Sequence, residues 1–421
     1  MSRKSLFDLD EYKPYAHAWQ TRQQVLAARQ AYYDGSMYRS VRDKMSEAVP
    51  WVAPRLYRGI KALYLPLARA VDVDMGLIPG GWTLPEDAPG QWREGMARVL
   101  GWSGWARAGL RYVFHGAVHG VAGLKIVDLR EARRVALLPL NPLKFMLVRP
   151  DPFSAATMAL IVEKRTDADG TEYEYGEVII ANEVRTFRDG KPHGYDGRPA
   201  VYPNLQGQVP VVEVLHKDDD SPLGEATFST VIPLLNEVNS LASYLSDVIK
   251  KHTEPQWAVF GAEATDLEKN GANVWFFPQG AEVKPIVPEV DIEGVLAFVK
   301  EISEQVKGGL PELAFDELKG KERVATATVE LQLMELVLKI RACRPNYDHG
   351  LAEALRMAAR AAGSMGLGDP AVASLDDEGL TLDAERPVIP LGPEAQMDLE
   401  MKRLALETQA LALQAGEGVV A

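Results

Sequence analysis

The sequence contains very little cysteine. Cys343 is the one cysteine in 421 residues, and a single cysteine cannot form a disulfide within the chain. A disulfide-stapled secreted domain is therefore excluded, and a reducing compartment is expected. Cys343 lies in an apolar stretch with a helical pattern, which predicts a buried small hydrophobic side chain rather than a reactive thiol.

Long apolar runs are also missing. No uninterrupted run approaches the ~20 residues that a membrane-spanning helix needs. Residues Met1–Asp10 alternate charged and apolar side chains and lack the apolar core of a signal peptide. We therefore expect a soluble intracellular protein that contacts no membrane. The composition, 47% hydrophobic and 25% charged, is typical of a folded chain, and its length predicts two or more sub-domains.

Positive charge is in deficit. Lysine and arginine number 46 against 59 aspartate and glutamate residues, which gives a net charge of -13. A protein that reads DNA sequence normally carries a basic surface, because phosphate neutralisation dominates its affinity. We expect any contact with DNA to be loose or confined to a few positions.

Complete catalytic signatures are absent: there is no phosphate-binding loop, nucleophile elbow or zinc-binding His-Glu-x-x-His sequence. Two partial signals remain. His115 and His119 are four residues apart and on a helix would share a face, so they could hold a metal or simply pack. Asp218–Asp220 could collect Mg²⁺, although a solvated turn is the simpler interpretation. These residues define the alternative of a metal-dependent hydrolase or nuclease. The main prediction is a non-enzymatic protein without metal or cofactor.

The periodicity of apolar residues changes twice along the chain. Helical patterns cover 12–34, 55–72 and 91–118, and a strand-like period begins near residue 121. Short strands are predicted at Val121–Leu129, Val135–Leu140, Phe145–Val148, Leu160–Lys164, Tyr173–Ile180, Val184–Phe187 and Val209–Leu215. The helical period returns after about residue 225. The pattern predicts a mainly helical α+β protein with an antiparallel β module between helical parts.

Two amphipathic helices enclose a compact module in the second half of the chain. The first carries a seam of apolar residues at alternating spacings of three and four: Val231, Leu234, Val238, Leu241, Leu245 and Val248. The second is capped by Asp291 and carries Ile292, Val295, Leu296, Val299, Ile302 and Val306. Strand-like runs lie between them at Trp257–Phe260 and Val274–Phe277. The apolar stripes need partners beyond each other, most simply copies of the same chain around a ring.

The last part of the chain is again helical. A polar loop precedes a helix from Val324 to Arg341. Pro345 is predicted to break this helix and to open the next, which runs to Gly363. A final helix is expected to start at Pro393.

This order of elements, together with several short segments, forms a pattern found in one family. The segments are Tyr32–Gly35, Gly207–Val212, Ser221–Gly224, Val231–Ser240, Gly309–Pro311 and Ala325–Ala327. Through them the sequence resembles the portal proteins of tailed bacteriophages, over most of its length and by order rather than by one diagnostic motif. The resemblance implies a wing at 1–224, a first stem helix at 225–252, a clip at 253–290, a second stem helix at 291–308, a tunnel loop at 309–323, wing helices at 324–364 and a short helical crown at 365–421.

The resemblance also implies a function. Such proteins assemble as dodecameric rings at one capsid vertex, where double-stranded DNA enters and leaves through a central channel without being read. Implied partners are further copies of the chain, the large terminase, the major capsid and scaffolding proteins and a head-completion or neck protein. The implied location is the portal vertex of the virion, after assembly in the host cytoplasm. A different head-morphogenesis protein is the alternative within the same class.

Two groups of residues are candidate contact sites under this resemblance. The tunnel loop carries Lys319, Lys321 and Arg323, which could touch DNA phosphates transiently, or form a solvated turn between helices. The clip carries Trp275, Phe276 and Phe277, which could face a partner protein or pack the core between subunits.

Overall fold

The computed structural model describes residues 5–38, 64–151, 154–195, 197–253, 256–260, 282–286, 291–314 and 333–389. These residues fall into two compact units. The first draws on Met1–Ala27, Arg69–Thr227 and Phe315–Ala421, and the second on Ala28–Ala68 and Phe228–Ala314. The fold class is α+β, as the sequence predicts.

Helices account for most of the regular structure. In the described ranges they are α1 Ala16–Tyr33, α2 Leu67–Leu77, α3 Gly90–Trp102, α4 Trp105–His119, α5 Ile232–Thr253, α6 Ile292–Gly308, α7 Met334–Ser364 and α8 Pro370–Ala373. None of the helices in these ranges is both long and apolar enough to cross a membrane.

Within the described residues the strands form three open antiparallel sheets. They are β1 Val121–Leu129, β2 Arg134–Leu140, β3 Phe145–Val148, β4 Met158–Thr166, β5 Glu172–Ile180, β6 Glu183–Arg188, β7 Lys191–Pro192, β8 Val201–Pro203, β9 Val211–Leu215, β10 Gln256–Phe260 and β11 Glu282–Ile286. The first unit contains a three-stranded sheet of order β2-β1-β9 and a six-stranded sheet of order β3-β4-β5-β6-β7, in which β8 also pairs with β6. In the second unit β10 pairs with β11.

The core of the first unit lies on both faces of the six-stranded sheet. One face packs an apolar cluster around Phe145 and Ile179, to which Val211 of β9 also belongs. The opposite face is covered by the N-terminal segment, where Leu6 and Tyr12 are buried. Alternate residues of β4 and β5 serve the two faces, because side chains alternate across a strand. This alternation is why the sequence pattern predicts the strands well.

A chain of four buried polar groups joins α2, α7 and the segment that follows β9 in the first unit. His216 follows β9, and its Nδ1 lies 2.8 Å from the hydroxyl of Tyr347 on α7. Its Nε2 lies 3.1 Å from Oγ1 of Thr227, which also bonds to Asp74 of α2. Burial lowers the pKa of His216 to about 3, so the ring is neutral and its 3.6 Å approach to Asp74 is not an ion pair. Tyr347 then donates to Nδ1, Nε2–H donates to Thr227, and Thr227 donates to the carboxylate of Asp74.

Thr227 is also held through its main chain. Its N–H donates to the carbonyl of Ala117 at 3.0 Å, and its carbonyl accepts from Lys339 Nζ at 2.9 Å. Thr227 is the last residue of this part of the first unit, and Phe228 begins the second. The chain is therefore fixed at four points, two on the main chain and two on the hydroxyl, directly before it enters the second unit.

The helix predicted over 91–118 is in fact two helices. Gly104 adopts a left-handed conformation with φ of 58°, which no continuous right-handed helix contains and which glycine adopts without strain. Next to it, Ser103 Oγ accepts a hydrogen bond from the N–H of Leu137 at 2.8 Å. The break thus places a side-chain acceptor at the outer edge of β2.

The break predicted at Pro345 is also wrong. Pro345 lies inside α7, which runs without interruption from Met334 to Ser364. A proline costs a helix about 3 kcal/mol because it removes one backbone hydrogen bond and crowds the preceding turn. Burial on both sides of it, at Arg344 and Tyr347 among others, outweighs that local cost.

Other differences concern helix bounds and short strands. The helix predicted over 55–72 is described from Leu67 and continues to Leu77. Strands β7 and β8 are not among the strands predicted from the sequence, and β11 contains Pro285. Proline is tolerated there because each strand of a two-stranded sheet has an unpaired edge.

Candidate functional site

The second unit is built around an antiparallel pair of helices. Gly309, just after α6, lies against Val231, just before α5, so closely that a Cβ at Gly309 would overlap the valine side chain. The end of α6 therefore meets the start of α5. Between the helices lies a buried seam: Leu235, Val238, Leu245 and Val248 from α5 with Ile302 and Val306 from α6. Val238, Leu245 and Val248 are buried as the sequence predicts, whereas Leu235 is buried in place of the predicted Leu234, and Leu241 is only partly buried.

The N-terminal ends of both helices are fixed by polar contacts. Asp291 accepts a hydrogen bond from the N–H of Gly294 at 2.8 Å, which confirms the predicted N-cap of α6. On α5, Asn236 donates to the hydroxyl of Tyr32 and accepts from that of Tyr38, both at 3.1 Å. These bonds attach the last turn of α1, through Tyr32, and the segment after it, through Tyr38, to α5.

A second asparagine of α5 binds a main chain. Asn239 is fully buried, and its Oδ1 accepts from the N–H of Tyr64 at 2.9 Å while its Nδ2 donates to the Tyr64 carbonyl at 3.1 Å. The apolar pattern of α5 assigns no role to Asn236 or Asn239. Their spacing of three along one helix face is the signal that could have suggested a shared partner segment.

Large apolar side chains remain exposed on this helix pair. On α6 they are Leu296, 51% exposed, and Phe298, 49% exposed; on α5 they are Tyr244 and Ile249. Leu296 was expected in the seam, and this is wrong: the seam follows 295, 299, 302 and 306 instead. Since each residue turns a helix by about 100°, Leu296 and Phe298 point about 200° apart, one on each flank of the seam. The helix thus exposes apolar surface on two sides.

The predicted tunnel-loop and clip residues lie outside the described part of the chain. This applies to Lys319, Lys321 and Arg323 and to Trp275, Phe276 and Phe277. Of the segment 309–323 the structure describes 309–314, where Pro311–Leu313 forms one turn of 3-10 helix with Leu313 buried. Of the crown it describes 365–389, so the helix predicted from Pro393 also lies outside.

His115 and His119 share one face of α4, as their spacing predicts. Both are buried, with ring centroids 5.9 Å apart, and Nδ1 of His119 lies 3.1 Å from the carbonyl of His115. Burial, and then the neighbouring His119 and Arg111, lower the pKa of His115 to about 3. The described residues contain no group of three or more potential metal ligands. The arrangement is that of two packed histidine rings, with His115 neutral.

Asp218–Asp220 forms a turn on the surface. Asp220 adopts a left-handed backbone with φ of 62°, and its N–H donates to the carboxylate of Asp218 at 3.1 Å. Asp219 accepts from the N–H and hydroxyl of Ser221 at 3.0 and 2.6 Å. The carboxylates therefore bond to the turn itself, which agrees with the solvated-turn interpretation. The structure does not bring them together with His115 and His119 into a metal group.

Comparison with known proteins finds one family that part of the chain matches. Residues 125–308 match the family described as phage portal protein, SPP1 Gp6-like. The match extends from β1 to the end of α6 and confirms the predicted resemblance to phage portal proteins. It also supports the prediction of a structural protein rather than an enzyme. No curated protein matches this sequence.

Three solved structures are similar at low identity. The neck of a native gene transfer agent particle computed with C12 symmetry shares 14% identity, covers 70% of this chain and 77% of its own, and has a TM-score of 0.40. The neck of the empty particle computed with C6 symmetry shares 13% identity, covers 70% of this chain and 78% of its own, and has a TM-score of 0.40. An HK97 family phage portal protein from Corynebacterium diphtheriae shares 10% identity, covers 68% of this chain and 85% of its own, and has a TM-score of 0.35.

Proposed function

We propose that this chain is a subunit of a phage portal. Copies assemble into a ring, a dodecamer, at one vertex of the capsid, and double-stranded DNA passes through its channel without being read. The family match over 125–308 supports this proposal, since it includes the β module and both α5 and α6.

The observation that carries ring assembly is the exposed apolar surface of the helix pair. Leu296 and Phe298 project from opposite flanks of α6, and Tyr244 and Ile249 are exposed on α5. These four large apolar side chains are exposed on more than one side of the helix pair, where a partner chain could cover them. A hairpin with apolar residues on two flanks fits a neighbour on each side, which is the head-to-tail contact that generates a closed ring.

The charge of the chain fits a channel through which DNA slides. Each copy carries a net charge of -13, and the negative field of many copies repels phosphates at close range. Such walls would prevent tight gripping of the duplex. In this proposal Lys319, Lys321 and Arg323 of the tunnel loop, 309–323, supply transient phosphate contacts.

The remaining assignments follow the same proposal. Residues 1–224 and 324–364 form the wing, 225–252 and 291–308 the stem, 253–290 the clip and 365–421 the crown. The clip, with Trp275, Phe276 and Phe277, would dock the large terminase and then the head-completion or neck protein. The major capsid and scaffolding proteins would surround the ring. The protein would thus be a virion component at the portal vertex, assembled in the host cytoplasm.

Ring assembly can be tested with the purified full-length chain. Native mass spectrometry and negative-stain imaging should show a ring with a hole wide enough for duplex DNA. Leu296→Glu and Phe298→Glu should each shift the population to smaller species, because a carboxylate would be buried between neighbours. Ala297→Glu places the same charge on the exposed side of α6 opposite the seam and should leave the ring intact.

The outcomes separate clearly. A monomer that stays unassembled with and without scaffolding protein would contradict the proposal, as would rings unaffected by both glutamate substitutions. Circular dichroism of each variant distinguishes lost assembly from lost folding. Substitution of Lys319, Lys321 and Arg323 by glutamine in a packaging assay then tests the tunnel loop.

A further inference from the structure

The two sheets of the first unit pack tightly at one end and separate at the other. At the packed end, Gly123 of β1 lies on the ring of Phe145, which a Cβ at Gly123 would overlap. Two residues further along, Lys125 Nζ bonds to the carboxylate oxygens of Glu177 at 2.6 and 2.7 Å. Beyond this pair the sheets part around a cavity of about 810 Å³. That volume lies within the range of about 300–1,000 Å³ typical of ligand sites.

The cavity lies beside a strand edge that carries no partner strand in the part of the chain that the structure describes. β9 pairs with β1 from Val121 to Lys125, and the last contact beyond it is the N–H of Ile126 to the carbonyl of Pro210 at 2.9 Å. β1 continues to Leu129 while the chain before Pro210 turns away. Ile126, Asp128 and Pro210 all line the cavity.

The backbone of Asp128 points into this opening. Opposite residues of an antiparallel pair alternate between bonded and non-bonded positions. Ile126 lies opposite Leu137 in the pairing of β1 with β2. The N–H of Leu137 donates to Ser103 and not to β1, so Ile126 and Leu137 form a non-hydrogen-bonded pair. Asp128, two residues on, occupies the same kind of position opposite Val135. Its N–H and carbonyl are therefore directed to the side that β9 leaves open.

Exposed leucines surround the cavity. Three of them are between 41% and 47% exposed: Leu129, Leu138 and Leu205. They come from β1, β2 and the loop after β8, so the apolar surface lies on more than one wall. A cluster of this kind around a cavity favours an apolar contact.

Basic side chains outnumber acidic ones in the cavity wall by four to three. The arginines among them are ion-paired, Arg130 and Arg198 with Asp128 and Arg165 with Glu163, but remain partly exposed. Three arginine side chains of the cavity wall are 47%, 40% and 41% exposed to solvent: Arg130, Arg165 and Arg198. Asp128 and Glu177 retain only 22% and 8%, which leaves Glu131 as the exposed lining acid. Arg165 also lies 3.5 Å over the ring of Tyr175, which holds its guanidinium in place. A partner that meets this wall should be acidic.

We propose that this cleft binds an extended acidic segment of a partner protein, which adds as a strand beside the free edge of β1 at Asp128. The segment takes the line that β9 would follow if it were longer. Its main chain bonds to Asp128, and its alternating side chains meet the leucines on one side and the arginines on the other. A nucleic acid could stack on the tyrosines but has no peptide groups to extend a sheet. The proposal does not depend on ring assembly.

The first test uses the full-length protein and a labelled peptide, acetyl-(Leu-Glu)₃-amide, in a fluorescence anisotropy titration. We expect saturable binding. The same peptide N-methylated at alternate residues, so that the edge facing β1 cannot donate, should bind at least tenfold more weakly. Replacing its glutamates by lysine should also weaken binding at least tenfold.

Paired variants of Asp128 isolate the main-chain contact. Asp128→Pro removes the N–H on the open side and leaves the β1–β2 hydrogen bonds in place, since this position is non-bonded to β2. Asp128→Ala removes the same carboxylate but keeps the N–H. We expect Asp128→Ala to bind the peptide at least as well as wild type, and Asp128→Pro at least tenfold more weakly.

Each contrary outcome would overturn the proposal. Absence of saturable binding would do so, as would equal affinity for the peptide and its N-methylated form. Binding of oligo-dT that the peptide cannot displace would assign the cleft to single-stranded nucleic acid. If Asp128→Pro fails to fold, judged by its thermal unfolding, the comparison of the two peptides on the wild-type protein decides alone.

Discussion

The hydroxyl of Tyr347 on α7 lies directly over Gly116 on α4. A Cβ at Gly116 would overlap both Oη and Cζ of the tyrosine. The same hydroxyl bonds to His216 at 2.8 Å, so the ring cannot move aside without breaking the buried polar chain. The absence of a side chain at residue 116 is thus a condition for the packing of α7 on α4.

Gly116→Ala should therefore destabilise the protein by about 1–3 kcal/mol, the usual effect of overpacking a well-packed core. Urea unfolding followed by circular dichroism measures it. Gly363→Ala is the matched control, since a Cβ added to Gly363 of α7 would have no described atom within 4 Å; this variant should gain about 0.5–1 kcal/mol from its helical backbone.

A double-mutant cycle tests the assignment to Tyr347. Tyr347→Phe alone loses its bond to His216, whereas in the Gly116→Ala background it also relieves the overlap. The double variant should therefore be more stable than the sum of the single effects. Simple additivity would contradict the close contact.

Stability should fall as the pH falls below about 6.5. Burial lowers the pKa of His115, and that of His216, from an ordinary value of 6.5 to about 3. Between these values the unfolded chain binds protons that the folded chain does not. The stabilisation is complete above pH 6.5 and decreases by about 1.4 kcal/mol per pH unit for each histidine towards pH 3.

His115→Leu should remove one histidine's share of this slope. Nδ1 of His115 is buried without a hydrogen-bond partner in the part of the chain that the structure describes, so the variant should be no less stable than wild type at pH 7.5. Phe114→Leu, which changes packing but no titratable group, should keep the full slope. Urea unfolding at pH 7.5, 6 and 5 provides the comparison, and equal slopes in all three proteins would contradict it.

Arg344→Lys should cost about 2–4 kcal/mol. The Arg344 guanidinium donates to the carbonyls of Leu77 and Ile78 at the end of α2, at 2.7 and 3.1 Å, and to those of Arg386 and Pro387 at 2.7 and 3.1 Å. A lysine ammonium cannot reach four carbonyls from one planar fork. The carbonyls of Leu77, Arg386 and Pro387 would lose this donor in a buried or partly buried site, whereas that of Ile78 still accepts from Arg386 at 3.3 Å.

Thermal and urea unfolding measure this loss. Arg341→Lys, one turn earlier on α7 and exposed, is the control and should change the unfolding free energy by less than about 0.5 kcal/mol. Similar values for the two variants would show that the four carbonyl contacts are not what stabilises the helix end.

Asn239→Ala should loosen the segment around Tyr64. The substitution leaves both the N–H and the carbonyl of Tyr64 without their partner on α5, at a cost of about 2–4 kcal/mol. Hydrogen exchange of the Tyr64 amide should accelerate at least tenfold. Ser240→Ala, at the adjacent exposed position of α5, should leave this exchange unchanged, and equal rates in both variants would contradict the assignment.

Periodicity predicts the elements of this fold best where one physical pattern dominates. The bounds of β1 and β3 agree with the sequence prediction, and so does the Asp291 cap of α6. The sequence prediction is wrong at Gly104, where it misses a helix break, and at Pro345, where it predicts a break that does not occur. A left-handed glycine and an ordinary helical glycine look alike in sequence, and the packing that maintains α7 through Pro345 comes from residues distant along the chain.

The candidate surfaces are harder to predict than the elements. The spacing of Leu296 predicts a seam residue, but the placement of the neighbouring helix puts it on a flank of α6, opposite Phe298. The open edge at Asp128 follows only from where β9 ends, which no residue of β1 indicates. Sequence periodicity identifies apolar residues, but whether a partner covers them depends on three-dimensional placement.

The bracing of Thr227 has a mechanical consequence. A pull on the chain at Phe228 first loads the bonds of Thr227 to Ala117 and Lys339, which attach it to α4 and α7. Two helices share that tension, and the strand β9 that precedes the junction is shielded from it. The polypeptide should therefore yield first on the Phe228 side, and the sheets of the first unit should keep their register under load.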